Sequence, residues 1–81
     1  MKEIYERTEG GNFTKSTGFG HENRDNAIMQ ALDLTMDLMR EQIKKGRRVE
    51  MRATLGYVGK LAFIVSSASD EILGGYAVDA E

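Results

Sequence analysis

Between residues 24 and 46 the apolar positions recur every three or four residues, the spacing that gathers side chains on one side of an α-helix. At about 100° per residue, Ile28, Leu32, Met36, Met39 and Ile43 fall together, with Met29 at the margin, and this side is the expected core face. A second stripe, Ala27, Ala31, Leu34 and Leu38, repeats at spacings of four, three and four and is set apart from the first by Thr35 and Gln42. One sheet does not readily cover both stripes, so the second is read as a seam for another helix, and hence for a homodimer, with an extended edge of the core as the alternative. Gln30, Asp33, Asp37, Arg40 and Lys44 take the narrow solvated side. The ends are marked as well: Asn23 or Asp25 can accept from the free amides of the first turn. Lys44 and Lys45 suit the negative end of the helix dipole, and Gly46 is free to close the last turn.

Elsewhere the period drops to two. Residues 3–9 and 12–17 read as short strands joined through Gly10-Gly11, a two-residue hairpin signal. That register sets Glu6 opposite Lys15, turns Ile4, Thr8 and Phe13 to one face, and leaves the hairpin at the periphery. After the helix, 48–55 alternates with Val49, Met51, Ala53 and Leu55 on one side and Arg48, Glu50, Arg52 and Thr54 on the other, as in a half-buried strand. Residues 60–66 are apolar on both faces, which predicts an interior strand or a second contact surface. Residues 71–78 form a last strand bulged at Gly74-Gly75, with a short helix over 70–73 as the competing reading. The order ββαβββ with hairpin connections predicts one α+β domain over residues 1–81, two layers deep, with the long amphipathic helix on an antiparallel sheet.

Composition narrows the classes of function. Eleven basic and thirteen acidic side chains leave a formal net charge of −2, far from the strong positive balance of a nucleic-acid binder. The chain has no cysteine, so neither a disulfide nor a thiolate metal site is available, and a cytoplasmic location is the expectation. A membrane span needs about 20 apolar residues, and neither that nor a signal peptide is legible, so no membrane partner is expected.

Candidate chemistry is sparse. His21 is the sole histidine, which rules out a His-based metal cluster, and no nucleophile and carboxylate are spaced to serve it; no catalytic residue, cofactor or metal is expected. Gly18, Gly20, His21 and Asn23, just ahead of the helix, are a candidate anion site, because glycines there let an anion approach free amides. Lys44, Lys45, Arg47, Arg48 and Arg52 put five of the basic residues into nine positions and predict a positive patch. Helix-end complementarity accounts for part of it, and phosphates or an acidic protein surface for the remainder.

The reading that follows is a small non-enzymatic protein-binding domain that occupies a surface of a larger protein target, as phage or mobile-element inhibitors and accessory proteins do. A nucleic-acid-binding module using the patch from Lys44 to Arg52 is the alternative, and a sensor of small anionic ligands is the third.

Overall fold

The computed structural model describes residues 2–57 and 59–79, with side chains described at all of these except 17–19, 56 and 57. Its elements are β1 (Lys2–Thr8), β2 (Thr14–His21), α1 (Arg24–Lys44), β3 (Val49–Tyr57), β4 (Lys60–Ser67) and β5 (Ile72–Asp79). The five strands make one antiparallel sheet in the order β2-β1-β5-β4-β3, and α1 lies across one face, centred on β5. This is the two-layer ββαβββ arrangement that the periodicities predict. The last strand sits at the centre of its own sheet, between β1 and β4.

Local chemistry explains the helix limits. Asn23 is the N-cap: its Oδ1 accepts from the amides of Asp25 at 2.7 Å and Asn26 at 3.4 Å. At the other end Gly46 takes φ +83, its amide donates to Ile43 O, and the Arg47 amide donates to Gln42 O, the paired bonds that close a helix on glycine.

The core face of α1 is turned from the expected stripe toward the second one, although Ile28 and Leu32 of the expected stripe still pack against the core. Ala27, Ala31, Thr35 and Gln42 are the buried residues, and Leu34 and Leu38 pack beside them toward the sheet. The stripe expected to be a dimer seam is therefore the intramolecular core face. Met36 and Ile43, expected inside, are 41 % and 56 % exposed, and Met29, expected at the margin, is 56 % exposed. The reason lies in β5. A Cβ on Gly74 would stand 2.9 Å from both Leu38 Cδ2 and the Arg7 carbonyl oxygen, and one on Gly75 would strike the Phe63 carbonyl. Bare backbone at Gly74 makes room for the Leu38 side chain, and the small Ala27 and Ala31 in turn leave room for Ile4, Phe63 and Val78, so this face of the helix fits the sheet by setting small residues against large ones.

Two faces of the sheet are packed. Toward α1, Ile4, Phe63 and Val78 join Ala27 and Ala31, with Ile28, Leu32, Leu34, Met51, Leu61 and Tyr76 around them. On the outer face Ala62, Ile64 and Ala77 are buried under Tyr5, Phe13 and Ile72. That second cluster is why β4 is apolar on both sides.

The first hairpin departs from the two-residue turn. Gly11 N donates to Thr8 O at 3.0 Å, so Gly10 and Gly11 fall in a four-residue turn, and Asn12 and Phe13 follow before pairing resumes. Register moves by one: Tyr5 faces Lys15, Glu6 faces Thr14, and Phe13 joins Tyr5 on the outer face rather than Ile4 on the inner. Nor is β1 peripheral, since it pairs with β5 and its Ile4 is fully buried.

Candidate protein-binding strip beside the edge strand

A sheet of five strands is about 19 Å wide, whereas a helix with its side chains covers about 10 Å. With α1 centred on β5, the helix-side face of the edge strand β3 is left partly uncovered. Leu55 is 70 % exposed there, Ala53 is exposed, and Met51 and Val49 are half-buried. The adjoining flank of α1 supplies Met29, Met36 and Ile43, with half-buried Ile28, Leu32 and Met39 carrying the apolar surface down to the core. Ile28, Leu32 and Met51 all pack against the same core cluster, and the exposed apolar residues of this helix flank and of β3 stand on either side of them, an apolar strip between the helix and the edge strand. Unbranched methionines on it can adapt to a partner's shape.

The opposite flank of α1 is polar and tied to β2. His21 ends β2, across from Lys2, and its Nε2 lies 3.0 Å from Gln30 Oε1, a contact satisfied when Nε2 carries the proton. Tyr76, opposite Glu6 in β5, has its phenol pushed above the usual value, first by burial and then by the charges of Glu6 and Asp37.

The candidate anion site is not assembled as expected. Gly18, Gly20 and His21 are strand residues of β2, not a loop before the helix, and Asn23 fills the N-cap position with its own carboxamide. The amides of Asp25 and Asn26, which an anion would need, are already bonded, and Asp25 adds a negative charge to the first turn.

Of the positive patch, Lys44 and Lys45 lie exposed at the C-terminal end of α1. Arg47 donates to Gln42 Oε1 at 3.0 Å and approaches Glu9 to 4.0 Å. Arg47 and Arg48 line a cleft of about 560 Å³ in which Glu9 and Glu71 stand with Ser67 and Ser69. Arg52 is elsewhere, on the outer sheet face beside Thr54, Ile64 and Ile72. The five cations thus divide into two groups with acids interposed. The outer face is charge-paired too: Lys60 bonds Asp79 at 3.1 Å and lies 4.1 Å from the centre of the Tyr5 ring, and Lys15 bonds Glu3 at 2.9 Å. The hydrogen bond and charge of Glu3 raise the Lys15 pKa.

Among the described residues no group of three or more His, Asp or Glu is placed to hold a metal ion, and no helix is long and apolar enough to cross a membrane. The strip itself was hidden in the sequence, because Met29, Met36, Ile43 and Leu55 carry the same periodic signal as core residues. The one available clue was the small size of Ala27 and Ala31, which lets a helix face approach the large side chains of a sheet closely. No family model, curated protein or solved structure matches the chain.

Proposed function

We propose that this chain is a non-enzymatic protein-binding domain whose working surface is the strip formed by the Met36 flank of α1 and the inner face of β3. The observation that carries the reading is the exposure of four large apolar side chains, Met29, Met36, Ile43 and Leu55, on one side of a molecule whose outer sheet face is packed and charge-paired. Contiguous apolar surface of this kind marks protein interfaces in soluble domains. An inhibitor or accessory role, in which the domain covers a surface on a larger protein, fits that chemistry. The acids interposed among Arg47 and Arg48, and the separation of Arg52, weaken a phosphate-tracking role.

Site-specific photo-crosslinking in the native cell tests this. A crosslinking residue at Met36 or Leu55 should capture a defined protein, and one at Asp33, on the solvated side of α1, should not. Equal capture from all three positions, or capture of nucleic acid alone, would overturn the reading.

A further inference from the structure

The edges of the sheet differ. At one side β2 pairs with β1 through a register irregularity between Glu3 and Tyr5, which breaks the edge into short pieces. At the other, β3 runs in unbroken register with β4 from Val49 to Leu55, and no strand among the described residues pairs with its far side. A long regular edge flanked by apolar surface is a template for another strand. Proline, a common protection of such edges, is absent from the chain. On its outer face β3 carries Glu50, Arg52 and Thr54, with Arg48 just before it.

Consider two copies joined edge to edge by a twofold axis perpendicular to the sheet. Opposed residues must then share a face, so the axis passes through a single residue of β3. An axis at Glu50 sets Glu50 against itself, and an axis at Arg52 sets Arg52 against itself. At Ala53 it leaves Arg52 opposite Thr54 and diagonal to its own copy, with no acid between them. At Met51 the charges match: Glu50 opposes Arg52 of the second copy and Arg52 opposes Glu50, two complementary pairs on the outer face. On the inner face the same register opposes Met51 to Met51 and Val49 to Ala53, all apolar.

We infer that β3 pairs antiparallel with β3 of a second copy of this chain, with Met51 on the twofold axis and Glu50 and Arg52 forming reciprocal pairs across it. The inference rests on the reading of the strip as a protein-binding surface and names its first occupant. Dimerisation does not use the strip up. Five strand spacings of about 4.8 Å separate the two β5 strands, so the helix axes stand about 24 Å apart, beyond the 8–10 Å of direct helix packing. The Met36 flanks of both copies stay open above the joined strands and form one doubled surface toward a larger partner.

Charge reversal tests the register. Glu50 and Arg52 are both exposed, so Glu50→Arg and Arg52→Glu should each keep the far-ultraviolet spectrum and unfolding midpoint of the wild type. Sedimentation equilibrium over rising concentration should show a wild-type dimer, a Kd weakened about tenfold or more in either single variant, and recovery in the double variant. A wild type that remains monomeric overturns the inference, as does a dimer indifferent to both reversals or a double variant no tighter than the singles. If the chain is monomeric and crosslinking from Met36 still captures a protein, the dimer fails and the strip stands; loss of both sinks the broader reading as well.

Discussion

Tyr76 shows how one residue reports on the whole inner face. Its ring packs against the core while its hydroxyl shares space with Glu6 and Asp37, so ionisation is opposed first by burial and then by two negative charges. The folded pKa lies above the unfolded value of 10.0, so its phenolate is disfavoured in the native state. The sign follows by linkage: below pH 10 the group is protonated in both states and costs nothing, and as pH rises through 10 toward the folded pKa the unfolded state loses its proton first and stability falls. The urea midpoint should therefore decline above pH 10 more steeply in the wild type than in Tyr76→Phe. Equal slopes would show that the phenol is not set against those carboxylates. At this scale the sequence was legible wherever the cause was local. Asn23 and Gly46 act within a few residues of where they stand, so cap and stop are readable in place. Gly74 and Gly75 were read as a bulge, but the contact of Gly74 with Leu38 is made across the fold, about half a chain away, and no local pattern contains it.

For the helix, periodicity defined two stripes and volume chose the wrong one. Large apolar residues were expected inward because they contribute most on burial, yet the sheet beneath them has glycine at its centre. That glycine takes Leu38 over it, while Ala27 and Ala31 sit against the large Ile4, Phe63 and Val78 and Leu34 packs beside them. The same reasoning gives opposite fates to two double substitutions. Leu34→Glu with Leu38→Glu puts two charges into the interface of helix and sheet and should unfold the domain, since total stabilities of this class are about 5–15 kcal/mol and unpaired buried charges cost several. Met36→Glu with Ile43→Glu changes residues already 41 % and 56 % exposed and should move the unfolding free energy by about 1 kcal/mol or less. Circular dichroism with urea titration decides: a folded Leu34/Leu38 variant, or an unfolded Met36/Ile43 variant, would return the faces to their expected order. The hairpin was misread for a related reason. Gly-Gly signals a turn but not its length, and the two further residues that follow moved Thr14 and Lys15 by one position, before an irregularity between Glu3 and Tyr5 shifted the register again.

Across the whole molecule the sheet order sets where stability resides. The central strand β5 is the last in the chain and pairs with β1, the first, so the inner layer closes only when residues from both ends meet. None of this was readable from local pattern, because strand order depends on pairing partners: residues 3–9 read as part of a peripheral hairpin, and nothing local to residues 71–78 marks them as the centre of the sheet. Once the order is known the consequence is direct. Ile4, Val65 and Val78 are among the residues closed completely from solvent, and they lie on β1, β4 and β5, whereas β2 and β3 have one neighbour each. Opening an edge strand exposes part of one layer, but opening β5 divides the sheet in two. Amides of β5, and those of β1 and β4 bonded to it, should exchange with solvent only through global unfolding, with the same free energy as the urea transition. The amides of β2 and the outward amides of β3 should exchange through local openings of lower free energy. Hydrogen exchange by NMR in increasing urea measures both classes. Protection of β2 equal to that of β5 would contradict this sheet order. A rise in the protection of β3 alone, as protein concentration increases, would place a second strand against that edge.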